Sequence, residues 1–354
     1  MSGAAAAAGA RSVRAEQEAA VPLLSVESLT KYFAVKGGWL NRTNGVVQAV
    51  DDVSFAVKNG ETLGVVGESG CGKSTTARLI MHLIARDTGS IRLAGRLVGV
   101  AGGLSRRDLH RQMQMVFQDS YASLNPRLPI ATSIAFGPFV HGLGKAAALK
   151  RAMQLLEAVG LDPSLFANRY PHELSGGQRQ RINIARALAL EPRIVILDEA
   201  VSALDKSVEA QVLNLLADLK TQFDLTYIFI SHDLNVVRYI SDRVMVMYLG
   251  KVVEIGPVQR IYRSPQHPYT QALLSAMPSM DPRRRTLRAP LSGDPPNPIS
   301  PPSGCRFRTR CPFAEKVCEV VPPNLLALPQ SGAVACHMRV AGSGHSRAVQ
   351  TVAH

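Results

Sequence analysis

Three glycines, a lysine and a hydroxyl stand in one short run, Gly67-Glu68-Ser69-Gly70-Cys71-Gly72-Lys73-Ser74, followed by Thr75. Glycines let backbone N–H groups approach an anion closely, and a helix opening at the lysine adds the positive end of its dipole. In this spacing Lys73 reaches the β- and γ-phosphates of a nucleotide and Ser74 ligates its Mg²⁺, the chemistry of a phosphate-binding P-loop. Cys71 reads as a small spacer. Further along, Asp198 and Glu199 close an apolar run, RIVIL. Beside a Mg-nucleotide, two adjacent carboxylates divide the work: Asp198 serves the metal and Glu199 polarises the attacking water. Between these motifs, Leu174-Ser175-Gly176-Gly177-Gln178 precedes a helical stretch, Arg179 to Leu190, and so offers a second set of exposed amides. Two such helix starts on one chain suit a head-to-tail pair of chains, each P-loop facing the partner's second motif.

Such a loop needs a strand before it and a helix after it. Thr62 to Gly67 reads as the strand and Lys73 to Arg86 as the helix, while RIVILD (193–198) and TYIFIS (226–231) are continuous apolar runs of the kind buried in parallel sheets. Strands alternating with helices predict an α/β sheet. From Leu23 the chain is β-rich, with Asn59-Gly60 placed like a hairpin turn between AVDDVSFAV and TLGVVG, and Gly250-Lys251 suggests a further hairpin. Residues 146–159 carry Leu149, Met153 and Leu156 at helical spacing up to Gly160, an inserted helical segment.

The chain has 354 residues, 46% of them hydrophobic and 19% charged, enough for one large domain and an extension. No long uncharged apolar window is present to span a bilayer. The net charge of +13 favours an anionic partner, whether nucleotide, nucleic acid or membrane face. Residues 281–354 alone hold ten Arg or Lys against four Asp or Glu, a charge suited to a solvated face or to lipid headgroups. Five cysteines are few for a disulfide scaffold, which favours a reducing compartment.

The ordered set of motifs resembles the ATP-binding cassette (ABC) ATPases. The resemblance implies an antiparallel β subdomain, a RecA-like α/β core with an inserted helical subdomain, and hydrolysis of ATP. It implies that Ser175 to Gln178 contact the partner's nucleotide, that Gln118 in MVFQDS is the Q-loop glutamine and a Mg²⁺ ligand with Ser74 and Asp198, that Asp205 belongs to the D-loop, and that His232 is the switch histidine acting with Glu199. An aromatic stacks on adenine in this family, and Tyr32 or Phe33 fits, Phe33 slightly better.

A finer resemblance, to the ATPase subunits of bacterial oligopeptide/dipeptide importers, rests on QDSYASLNPR, RYPHELSGGQRQR, HPYT (267–270) and PPSGCRFRTRCPF, with KYFAVKGG and SLNPR closer to the second, F-type subunit. Ser120 and Ala200 stand where prolines are common, and neither change removes a catalytic group. The resemblance implies a heterodimer with a paralogous ATPase beneath two membrane permeases, fed by an extracytoplasmic binding protein, on the cytoplasmic face of the inner membrane. A nickel or other small-solute importer is an alternative within transport. A soluble ABC ATPase acting on nucleic acid or ribosomes is the rival outside it; those carry two cassettes or a long coiled coil, whereas here only 55 residues separate Gln118 from Leu174, so no nucleic-acid partner is expected.

Cys305, Cys311, Cys318 and Cys336 crowd together, separated by five, six and seventeen residues. Such crowding asks for a bound centre. Zinc sites prefer tighter cysteine pairs, and four thiolates on longer loops suit a [4Fe–4S] cluster, so spacing leaves both open. The family resemblance implies the [4Fe–4S] cluster, in a structural role. His337 is read as a solvent-facing neighbour. The expected organisation is a disordered leader (1–21), an ABC domain (22–262, helical subdomain about 119–185), a C-terminal cysteine-cluster extension (263–340) and a tail (341–354).

Overall fold

The computed structural model describes residues 22–37, 42–277, 293–294, 296–328 and 332–349. The leader, much of the Arg- and Pro-rich stretch and the end of the tail lie outside the described residues. Two sheets organise the rest. Strands β1 (Leu24–Gly37), β2 (Arg42–Val57), β4 (Thr88–Leu93) and β5 (Arg96–Leu97) form an antiparallel sheet in the order β2-β1-β4-β5. The second has eight strands among the described residues, in the order β11 (Leu326–Ala327), β12 (Ala333–Val334), β10 (Lys251–Pro257), β9 (Arg243–Tyr248), β3 (Thr62–Val66), β8 (Thr226–Ile230), β7 (Ile194–Asp198) and β6 (Met113–Val116). Its centre is parallel: β3, β6, β7, β8 and β9.

Period-two geometry divides the parallel strands between two cores. Val66, Val195, Leu197, Tyr227, Phe229, Val244 and Val246 face one, with the helices. Leu63, Val65, Ile194, Ile196, Ile228, Ile230, Met245 and Met247 face the other, with the antiparallel sheet and the helix Lys73–Ile80. Every residue of β3, β7 and β8 is therefore buried, which is why these strands read as unbroken apolar runs. The helices Ile130–Val140, Lys145–Ala158 and Pro163–Phe166 make the expected inserted segment.

One expectation needs correction. Asn59-Gly60 does not close a hairpin, because β2 lies in the antiparallel sheet and β3 in the parallel one; the turn hands the chain from one layer to the other. Gly250 does turn a hairpin, joining β9 to β10 (Lys251–Pro257). The C-terminal segment joins the second sheet. Strand β12 (Ala333–Val334) pairs with β10 and with β11 (Leu326–Ala327), so the extension lengthens the central sheet.

A buried aromatic cluster fastens that extension. Phe307 lies edge-on to Tyr248 of β9, ring centres 5.3 Å apart, and 5.4 Å from Tyr269 of the helix Pro268–Ser275. Beneath them the fully buried Glu254 of β10 accepts hydrogen bonds from the backbone N–H groups of Gln266 and His267, each at 2.9 Å, and pairs with Arg260. His267 caps the helix by accepting from Tyr269 N at 3.0 Å, and its complete burial pushes the imidazole pKa down to about 3, keeping it neutral. If Phe307 is the anchor, Phe307→Ala lowers stability by about 3–5 kcal/mol in urea unfolding; a loss under about 1 kcal/mol would mean that the extension is held elsewhere.

Candidate nucleotide site

The P-loop connects buried β3 to the helix Lys73–Ile80, and its glycines are required by space. Gly67 (φ +150°) and Gly72 (φ +104°) adopt conformations that L side chains resist, and a Cβ on either would stand 2.2 Å from Met247 O or 2.3 Å from Ala49 O. Lys73 is 6% exposed, and its Nζ donates to the carbonyls of Gly67 at 2.7 Å and Glu68 at 3.0 Å. Ser69 and Gly70 form the exposed crown of the loop, Thr75 continues the first helical turn, and Cys71 is packed inside with its thiol pushed up by burial, as befits a spacer.

Parallel pairing brings the rest to the same sheet edge. Asp198, the last residue of β7, accepts from Ser74 Oγ at 2.9 Å. Burial raises its pKa, with the charge of Glu199 adding to the effect and the Ser74 hydrogen bond opposing it. Glu199 holds an unfavourable left-handed backbone (φ 50°), fixed by donation from its N–H to Ile230 O at 3.0 Å. Strain of this kind collects where function fixes a side chain. Gln118 Nε2 donates to Glu199 Oε2 at 2.8 Å, and His232 Nδ1 lies 3.6 Å from Oε1, so these two side chains flank the carboxylate. Lys73, Ser74, Asp198, Glu199, Gln118 and His232 thus meet through side-chain contacts or adjacency.

The second helix start is built differently. Ser175 caps the helix Gly176–Leu188: its Oγ accepts from Gln178 N at 3.3 Å, and Gln178 Oε1 accepts from Ser175 N at 3.0 Å. Leu174 anchors this box in the core. No contact joins these residues to the P-loop of the same chain among the described hydrogen bonds. Asp205 is exposed ahead of the helix Lys206–Gln222, whose Lys206 bridges Glu209 and Asp233, both at 2.9 Å, beside His232. On β1, Tyr32 donates to Asp51 at 2.7 Å, and burial with that hydrogen bond pushes its phenol up to about 12; Phe33 is 39% exposed, 5.4 Å from the Lys31 ammonium.

Several residues against the loop escaped sequence reasoning. Tyr269 Oη accepts from Glu68 N at 2.9 Å, Arg310 pairs with the Glu68 carboxylate, and Arg306 reaches Asp51, Gln48 and Leu249 O. Two arginines of the basic extension are therefore buried in ion pairs rather than spread on a solvated face. HPYT and CRFRTRC marked the family, but their approach to the P-loop depends on long-range folding. His337 is likewise not solvent-facing: it is buried, with Nε2 2.8 Å from Val321 O. Cys305, Cys311, Cys318 and Cys336 line one pocket with His337 and Phe307. Among the described residues no group of three or more His, Cys, Asp or Glu side chains is arranged to hold a metal ion, so the expected cysteine centre stands on the shared pocket alone.

A phosphate loop, a carboxylate pair at the sheet edge and a separate capped glycine motif define an ABC-class ATPase, and the comparisons agree. A family model described as ABC transporter matches residues 50–202, and one described as oligopeptide/dipeptide transporter, C-terminal region, matches residues 253–318. A protein of Sinorhizobium fredii described as a probable peptide ABC transporter ATP-binding protein is 52% identical over 322 residues, 90% of each chain. The oligopeptide transport ATP-binding protein AppF of Bacillus subtilis is 49% identical over 321 residues, covering 89% of this chain and 97% of that one. The structure of cbiO1 from Clostridium perfringens, part of the ABC transporter complex cbiONQ, superposes with a TM-score of 0.59 at 25% identity, over 69% of this chain and 91% of that one. This chain belongs to the family of peptide ABC transporter ATP-binding proteins. It is an ATPase, and among the described residues no helix is long and apolar enough to cross a membrane.

Gly177 offers a test of the second motif. A Cβ there would meet Val208 Cγ1 at 2.5 Å. In an open helix Gly→Ala gains about 1 kcal/mol, whereas Gly177→Ala is expected to cost about 1–3 kcal/mol by overpacking, with Val208→Ala recovering most of it. Stabilisation by Gly177→Ala in thermal unfolding would show that the contact does not constrain the helix.

Proposed function

We propose that this chain powers import of di- and oligopeptides through an ABC transporter, bound peripherally to permease subunits on the cytoplasmic side of the membrane. The observation that carries the reading is that the segment matched to the oligopeptide/dipeptide transporter C-terminal region packs directly on the nucleotide loop, through Tyr269 and Arg310. In this reading Lys73 and the loop amides hold the ATP phosphates, and Phe33 stacks on adenine. Ser74, Gln118 and Asp198 serve Mg²⁺. Glu199 orients and polarises the attacking water, with His232 beside it, and the strained Glu199 backbone keeps the carboxylate aimed. Ser175 to Gln178, with Asp205, act on the nucleotide of a paralogous ATPase paired head to tail. The nucleic-acid rival loses ground because the insert between Gln118 and Leu174 folds into short helices rather than a long coiled coil.

A groove of about 340 Å³ lined by Met81, Leu83, Phe117, Phe136 and Leu190 lies next to Gln118, and Phe136 and Phe139 are 60% and 54% exposed beside it. This strip between the core and the helical insert, apolar but edged by His110, Gln114 and Arg186, suits a cytosolic helix of a permease, which would feel closure through Gln118.

The cysteine pocket suits a [4Fe–4S] cluster. A single zinc ion, with its sulfurs gathered about 2.3 Å from one point, is the alternative occupant. Burial, with the neighbouring cysteines adding to it, pushes Cys305 up to about 12, and burial pushes Cys336 up to about 11. Thiols raised in this way become thiolates beside a strongly cationic centre. Cys305, Cys311, Cys318 and Cys336 would hold it, and its contribution would be to brace the short loops.

The transport reading is tested by deleting the gene and complementing it. Uptake of labelled di- and oligopeptides falls in the deletion, returns with the wild-type gene and stays low with Glu199→Gln, which binds ATP but turns it over at least about 100-fold more slowly. Unchanged peptide uptake in the deletion strain would refute the substrate class, and wild-type turnover by Glu199→Gln would refute the role of Glu199. For the pocket, anaerobically purified protein should be brown and carry about four irons per chain; colourless protein with one zinc would overturn the cluster.

A further inference from the structure

The loop from Cys305 to Cys311 reaches the second residue of the P-loop. Arg310 Nη1 donates to Glu68 Oε2 at 2.7 Å and Nη2 donates to Oε1 at 3.0 Å, a two-pronged pairing that only a planar guanidinium makes with a carboxylate. The arginine side chain is 5% exposed, hydrogen-bonds the Tyr248 hydroxyl at 3.4 Å and lies 5.9 Å from the centre of that ring. Glu68 is thereby held at each polar end. Its N–H donates to Tyr269, its carbonyl accepts from Lys73, and its carboxylate is gripped by Arg310.

A carboxylate inside a polyphosphate-binding loop opposes its own ligand, and the repulsion is strongest where water is partly excluded. Glu68 shares with Gly67 the task of holding Lys73, so any shift of its backbone also moves the loop's cation. We propose that Arg310 is a positioning residue of the nucleotide site: it cancels the charge of Glu68 and pins that side chain to the extension, leaving Lys73 and the loop amides unopposed toward the phosphates. The inference rests on the ATP-binding role of the P-loop and on nothing about the transported solute or the contents of the cysteine pocket.

The test uses the full chain and MgATP. Arg310→Met should raise the Kd and KM for ATP roughly tenfold while kcat at saturation stays within about twofold, the split expected when binding rather than chemistry is lost. Arg310→Lys, which keeps the charge but not the fork, should fall between, at about threefold. The decisive variant is Glu68→Gln with Arg310→Met: with both charges gone, ATP binding should return to within about threefold of wild type, a rescue that a purely structural role would not produce. Binding by Arg310→Met within twofold of wild type, or a double variant as weak as the single one, would overturn the proposal. If Arg310→Met fails to fold, Glu68→Gln alone decides: it should bind ATP at least as tightly as wild type, and a folded Glu68→Gln that binds tenfold more weakly would overturn the proposal. Wild-type binding measured alongside separates a failure of the ATP reading from a failure of this one.

Discussion

A buried ammonium group sets the terms for this molecule. Lys73 is nearly enclosed, and the oxygens that hold it are the backbone carbonyls of Gly67 and Glu68, partial charges that offset only part of what a buried cation loses on leaving water. A bound polyphosphate supplies the missing anion. For the lysine to wait in that position, the loop must curl around it, and the curl is possible only because Gly67 and Gly72 carry no side chain where Met247 and Ala49 present carbonyls. Those carbonyls belong to β9 and β2, one from each sheet, so the loop is moulded by both layers.

The parallel sheet then does the remaining assembly. Asp198 and Glu199 leave β7, and His232 follows β8, while Gln118 follows β6. Four parallel strands in register, β3 among them, deliver their C-terminal ends to one edge, where ligands bind open α/β sheets. The contacts of Ser74 with Asp198, and of Gln118 and His232 with Glu199, follow from strand order rather than from any local motif.

Local patterns were therefore legible, and distant contacts were not. Strands β3, β7 and β8 were readable because burial on both faces leaves an unbroken apolar run, and the Ser175 helix because its capping box is written in four adjacent residues. The Asn59-Gly60 turn misled because a hairpin and a crossing between layers use the same turn chemistry. His337 and the arginines of CRFRTRC misled for another reason: polar residues in a Pro-rich segment read as solvated, and only the folded chain places Val321 O beside the histidine and Glu68 beside Arg310. The pairing of β12 with β10 involves two residues per strand, too short a signal for any periodicity.

The central claim is that this loop is a polyanion site built around Lys73. Calorimetric titration of the purified chain with MgATP, for wild type and Lys73→Ala, addresses it most directly. Loss of one charged contact predicts roughly ten- to hundredfold weaker binding or more in the variant, measured on protein that is still folded. A Lys73→Ala protein that binds and hydrolyses ATP like the wild type would contradict the account.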